Sequence, residues 1–266
     1  MPLKKKLKPI WNWLNQPLWY YQKGLIDEKL MKYAAKLFLL FFWGLLLMGC
    51  SADAEENTEI TAVNYKYLAL GDSYTFGQSV CADCRFPEQL KDSLQQFLNT
   101  EDSFNIKLIA QTGWTTTNLN TAISNEPLLS DYDLVTLLIG VNNQYQNIPF
   151  SVYEQEFVTL VNTAIARGKG DKNNLIVVSI PDYAYTPFGQ GTSNPSNIST
   201  QLDTYNAFAQ NYCITNGITF ITITDITRLG LAQPELVAND GLHPSTVAYS
   251  KFVERILPVA KIKLGL

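Results

Sequence analysis

Five apolar, β-branched runs recur along the body of the chain: YKYLALG (65–71), NIKLIAQTG (105–113), DLVTLLIG (133–140), NLIVVSIP (174–181) and GITFITIT (217–224). They are nearly continuous rather than alternating, which predicts strands buried on both faces. Helical periodicity fills the gaps. Residues 86–98 place Leu90, Leu94 and Phe97 on one face, and 153–166 do the same with Phe157, Leu160, Val161 and Ala164. Residues 198–214 align Leu202, Tyr205, Phe208, Ala209 and Tyr212; residues 245–257 align Tyr249, Phe252, Val253 and Ile256. Pro258 is expected to end or kink that last helix. Strands alternating with helices predict an α/β domain over 63–266, a parallel sheet covered on both faces. Ligands in such folds bind beyond the carboxyl ends of the strands. Gly71, Gly113 and Gly140 each close a predicted strand, so their surroundings should gather on one rim.

The amino end follows a different pattern. LFLLFFWGLLLM (37–48) is apolar, uncharged and preceded by Lys32 and Lys36. It is short for a membrane span, which takes ~20 residues, and suits the apolar core of a secretory signal. The run closes in LLMGC, which resembles a bacterial lipobox. That resemblance implies that Cys50 is the first mature residue and carries lipid, holding an exported protein on a bacterial membrane, periplasmic or at the cell surface. The competing reading is a plain membrane anchor with Cys50 unused. Residues 1–49 thus form the signal region. The basic residues near the apolar run place the expected start at Met31, with 1–30 an upstream extension. Residues 50–62 hold the lipidated cysteine and a polar, acidic tether. Acidic residues just behind such a cysteine resemble surface-export signals of some Gram-negative bacteria; a merely solvated tether is the other reading.

Charge and cysteines narrow the picture. Of 266 residues, 46% are hydrophobic and 17% charged, an ordinary globular balance. Eight lysines and two acidic residues fall in 1–49, leaving twelve basic and twenty-two acidic side chains, about −10 net, in the rest. Such a body repels phosphate backbones, so no nucleic-acid partner is expected. Cys81 and Cys84 form CADC, and export predicts a loop disulfide between them. A thioredoxin-like redox role is the alternative. Two cysteines are too few for a closed zinc site, so no metal and no other cofactor is expected. Cys213 follows a helical apolar stripe and reads as a buried small residue.

Candidate chemistry begins at LALGDSYTFG (68–77). Ser73 is either a helix cap or a nucleophile. A hydroxyl becomes nucleophilic when a base takes its proton, a carboxylate orients that base, and donors face the developing oxyanion. The chain has one histidine, in NDGLHPS (239–245). Asp240 stands three residues before His243, and a turn through Gly241 would fold its carboxylate onto the imidazole. Pro244 suits the first turn of the following helix and would fix the position of His243.

These residues resemble the sequence blocks of the GDSL, or SGNH, hydrolases. GDSYTFG looks like the first block, Gly113 in AQTGWTT the second, Gly140 and Asn142 in IGVNN the third, and DGLHP the fourth. The resemblance spans 71–244 and implies a flavodoxin-like three-layer α/β/α sandwich with five parallel strands. It also implies a carboxylic ester hydrolase working through an acyl-enzyme. By resemblance Ser73 is the nucleophile, His243 the general base and Asp240 its orienting acid. The backbone N–H groups of Ser73 and Gly113 and the Asn142 amide form the oxyanion hole. One departure is Asn143, where the family often has aspartate. No Gly-x-Ser-x-Gly elbow occurs.

The substrate is less legible. The segment PDYAYTPFGQGTSNPSNIS (181–199) mixes Tyr183, Tyr185 and Phe188 with small polar residues and reads as a long functional loop. With QYQ (144–146) it is expected to line a cleft for a sugar or a short acyl group. The expected substrate is a small ester or acylated glycan, with deacetylation of polysaccharide in view. Rival readings are a lysophospholipase or thioesterase, and a non-catalytic glycan-binding surface lipoprotein.

Overall fold

The computed structural model describes Lys29, residues 31–38 and residues 62–266. Residues 31–38 are helical with exposed side chains. Cys50, most of the apolar run and nearly all of the acidic tether lie outside the described residues. Among the described residues no helix is long and apolar enough to cross a membrane.

Residues 61–266 form one compact unit. Its strands are β1 (Asn64–Gly71), β2 (Ser103–Ala110), β3 (Leu134–Leu138), β4 (Leu175–Val178) and β5 (Thr219–Ile221). All pair in parallel in the order β2-β1-β3-β4-β5. β3 and β4 are buried at every position, as are Tyr67–Gly71 of β1. Burial on both faces explains why these runs carry no alternation.

The helices are α1 (Ser73–Phe76), α2 (Phe86–Gln95), α3 (Thr116–Asn125), α4 (Val141–Tyr145), α5 (Phe150–Arg167), α6 (Pro187–Gln190), α7 (Pro195–Asn216), α8 (Thr224–Thr227) and α9 (Thr246–Leu264). α2 packs on α9, while α3 and α7 both pack on α5. The resulting sandwich is flavodoxin-like: α/β/α with five parallel strands. The chain leaves β1 toward β2 on one side and returns to β3 on the other. The switch point, where such sheets open a crevice, therefore lies between the carboxyl ends of β1 and β3.

Three expectations need correction. β1 ends at Gly71 as predicted, but β2 to β5 stop two or three residues short of the predicted ends, because the chain turns away at the rim once pairing is exhausted. α3 has weak apolar periodicity and was not predicted. It is secured by a capping box in which Thr115 Oγ1 accepts from Asn118 N–H and Asn118 Oδ1 accepts from Thr115 N–H, and by buried Leu119 and Ile123. Pro258 does not end α9. It lies on the exposed side, while Ile256 and Ala260 remain buried and carry the helix to Leu264.

Candidate active site

β1 delivers Ser73. Gly71 ends the strand under close approach: a Cβ there would lie 2.1 Å from Thr75 Oγ1 and 2.4 Å from the Leu138 carbonyl. Asp72 then caps α1, its Oδ1 accepting from Tyr74 N–H at 3.0 Å. The cap is Asp72, so the Ser73 hydroxyl is not spent on that task. Asp72 is wholly buried, and its Oδ2 has no hydrogen-bond partner. Burial pushes its carboxyl up to about 7, against the pull of the Tyr74 and Gly140 backbone N–H groups.

The loop after β2 carries Gly113, and its φ of +84° is readily adopted only by glycine. Nothing stands within 4 Å of where its Cβ would be. The loop is fastened from α4 and its C-cap: Asn142 Nδ2 donates to the Trp114 carbonyl at 2.9 Å, and Gln146 Nε2 donates to the Gly113 carbonyl at 3.0 Å. One Asn142 N–H is used in this way, and the amide has a second.

Asn143 explains the departure from the family block. It is wholly buried; Oδ1 accepts from Thr116 N–H at 3.0 Å and Nδ2 donates to Thr116 Oγ1 at 2.7 Å. The Thr116 hydroxyl in turn donates to Glu156 Oε2 at 2.5 Å. An amide suits this place because the threonine proton is already committed to Glu156.

The segment after β5 brings Asp240 and His243 to the same rim. Gly241 takes φ +70°, and Asp240 Oδ1 accepts the N–H groups of Leu242 (2.9 Å) and His243 (3.0 Å). This folds Asp240 Oδ2 to 2.6 Å from His243 Nδ1. Pro244 does not sit in the first turn of α9, as the sequence suggested. It precedes the cap, Ser245, and pairs with Val237 in an antiparallel bridge. His243 is instead held through its own carbonyl, which accepts from Ala238 N–H at 2.7 Å. A backbone bridge does what helix entry was expected to do.

Ser73, Gly113, Asn142 and His243 all line one cleft of about 260 Å³. The Tyr74 ring meets His243 edge-on, with centroids 5.9 Å apart. Much of the remaining wall is aromatic: Tyr145, Tyr183 and Phe188 are neighbours, with ring centroids 6.2–6.3 Å apart, and Phe188 N–H donates to the Gly241 carbonyl at 2.9 Å. Residues 181–199 are more ordered than the expected loop. They form a 3-10 turn at Tyr183–Tyr185, α6 and the start of α7. Buried Asp182 fastens them, accepting from Ala184 N–H (3.0 Å), Ser199 Oγ (2.7 Å) and Arg228 Nε (2.9 Å). Tyr185 faces Arg228 rather than the cleft.

Cys81 and Cys84 are joined in a disulfide, and Cys213 is free and buried, its thiol pushed up to about 12 by burial. Among the described residues no group of three or more His, Cys, Asp or Glu is placed to hold a metal. Sequence reading missed Thr112, Val141 and Leu242 in the cleft wall, and Gln78 and Ser79, which bond to Thr112 and Asp240 behind it. Thr112, Val141 and Leu242 lie inside the blocks AQTGWTT, IGVNN and DGLHP, so their neighbours pointed to them. Gln78 and Ser79 have no such signal, since their relevance arises from segments far apart in sequence that meet in space.

Fold and site together define a doubly wound α/β protein of the hydrolase type, with a serine and a His–Asp pair at its switch-point rim. The chain belongs to the GDSL-like Lipase/Acylhydrolase family, whose profile matches residues 69–251. No curated protein sequence matches it. Among solved structures, it is similar to a lipase/acylhydrolase from Enterococcus faecalis (TM-score 0.58, 21% identity, 75% of this chain and 95% of that one). It is also similar to an acetylxylan esterase from Geobacillus stearothermophilus (0.56, 18%, 77% and 96%). A third is a carbohydrate acetylesterase family member from Sinorhizobium meliloti (0.56, 16%, 76% and 100%). At these identities the likeness is one of fold.

Proposed function

We propose that the protein is a serine esterase that cleaves small carboxylic esters, acetyl groups on polysaccharide foremost, while held on a bacterial membrane by lipid on Cys50. The observation that carries this reading is the shared cleft of Ser73, Gly113, Asn142 and His243, with His243 tied to Asp240 at 2.6 Å.

In this reading His243 takes the Ser73 proton as Oγ attacks the ester carbonyl. Asp240 holds the imidazole tautomer and balances its positive charge. The oxyanion faces the N–H groups of Ser73 and Gly113 and the Asn142 amide. His243 then protonates the leaving alkoxide, and water, activated by the same imidazole, releases the acid. Burial raises the Asp240 carboxyl, but hydrogen bonds from Ser79 and from His243 outweigh it and hold the group well below the ordinary carboxylate range. It thus stays charged wherever His243 can act as base.

The short-acyl preference is supported by the cleft's modest volume and its aromatic wall, which offers stacking faces to a sugar. The acetylesterases among the similar folds are consistent with it. The test compares wild type with Ser73→Ala on acetylated xylan, p-nitrophenyl esters of rising length and a lysophospholipid. The expected result is acetate release that Ser73→Ala lowers by at least ~10³-fold. Equal rates for both proteins would remove Ser73 as nucleophile, and a rate rising with chain length would favour a lysophospholipase or thioesterase. Labelling of Cys50 by radioactive palmitate, lost in Cys50→Ser, tests the anchor.

A further inference from the structure

Ser79 lies in the turn that follows α1, with φ +68°. A left-handed serine is strained, and such a conformation persists where surrounding contacts demand it. The contact here is with the His–Asp pair: Ser79 Oγ donates to Asp240 Oδ2 at 2.6 Å. That is the same oxygen that holds His243 Nδ1. We propose that Ser79 is a positioning residue for His243, its hydroxyl setting both the orientation of the Asp240 carboxylate and the share of its charge that the imidazole receives.

The surrounding geometry makes the turn a firm support. The N–H groups of Gly77 and Gln78 donate to the Ser73 carbonyl at 2.9 and 3.1 Å, so the turn is anchored on the serine that it serves. Gln78 Oε1 accepts from Thr112 Oγ1 at 2.6 Å, next to Gly113. Two residues past Ser79 the Cys81–Cys84 disulfide closes the chain again. Consecutive side chains thus clamp the Gly113 loop and the Asp240 loop to the segment that starts at Ser73.

Two acceptor sites of Asp240 are taken by backbone N–H groups on Oδ1, and Ser79 and His243 share Oδ2. Removing the hydroxyl leaves the imidazole as the only protein partner of that oxygen, with water a weaker and less directed substitute for Ser79. The carboxylate then interacts more strongly with the protonated ring. The carboxylates nearby are buried Asp72, raised to about 7 and acting on both neighbouring phenols, and Asp182, paired with Arg228 on a wall that His243 also lines. The side chains nearest the pair are Tyr74, edge-on to His243, and buried Tyr249, which feels the Asp240 charge. Both are phenols with pKa values raised by burial, so neither ionises in the range of the test.

This role rests on the reading of His243 as base, but its test does not need turnover. The chain has a single histidine, so ring-labelled full-length protein in detergent gives one imidazole titration. In Ser79→Ala and Ser79→Gly the midpoint of that titration is expected to rise by about half a pH unit. The acid limb of kcat/KM should move with it, and the plateau should fall roughly 3- to 10-fold as the imidazole loses its alignment. Ser79→Gly relieves the backbone strain, so agreement between the two variants assigns the effect to the hydroxyl. In an Asp240→Asn background the Ser79 substitutions should leave the midpoint unchanged. An unmoved midpoint in Ser79→Gly overturns the proposal, as does a shift that survives Asp240→Asn. If the midpoint moves while no ester is cleaved, the contact stands and the esterase reading fails.

Discussion

Asn143 and Thr116 are joined twice, by Thr116 N–H to Oδ1 at 3.0 Å and by Nδ2 to Thr116 Oγ1 at 2.7 Å. Together with the Thr116 bond to Glu156 at 2.5 Å, this ties α4, α3 and α5 at the edge of the cleft. Asn143→Asp would place two carboxylates on one hydroxyl proton. The expected cost is ~2 kcal/mol, about 4–8 °C in thermal midpoint. Adding Glu156→Gln should recover much of it. Calorimetry of the two variants checks both statements.

Asn142 spends one amide hydrogen on the Trp114 carbonyl and presents its other to the cleft in the proposed mechanism. Asn142→Ala is expected to lower kcat on p-nitrophenyl acetate by ~10²–10³ with KM changed little, because the donor matters chiefly to the charged transition state. A loss confined to KM would mean that the amide serves substrate binding instead.

Asp72 is the buried group with the clearest pH consequence. Its folded carboxyl is raised to about 7, above the ordinary 3.8. The folded state therefore binds the extra proton, and stability is full below the ordinary value and falls as pH rises through 4 to 7. Asp72→Asn keeps the acceptor for Tyr74 N–H and removes the charge. It should stabilise the protein by on the order of 2–4 kcal/mol at pH 8 and much less at pH 4. Thermal melts at the two pH values decide it; a gain larger at pH 4 would reverse the sign.

Phe188 is 40% exposed and closes the aromatic side of the cleft beside Tyr145 and Tyr183. Phe188→Ala should widen the cleft and raise the rate on butyrate relative to acetate by about tenfold, within what a few methylenes are worth in a pocket. Rates across an ester series measure it.

The central strands were readable because burial on two faces leaves a continuous apolar run, and the four long helices because burial on one stripe leaves a helical period. β2, at the sheet edge and half exposed, was read from its apolar residues although its burial alternates. The residues of the candidate site were readable for another reason. Gly71, Ser73, Gly113, Asn142 and the Asp240–His243 turn each sit in a short local motif, and Asp240 reaches His243 through a turn spanning only four residues. α3 was missed because its stability comes from a capping box and two buried side chains rather than from a strong stripe.

Local information thus specified the strands, the rim and the His–Asp turn, since each depends on neighbours within a few positions. The meeting of Ser79 with Asp240, 161 residues apart, left no such trace. Nor did the bridge that holds His243 in place of helix entry at Pro244, or the persistence of α9 past Pro258. These depend on which surfaces the packed sheet and helices bring together and which they leave to water, and three-dimensional packing alone settles that.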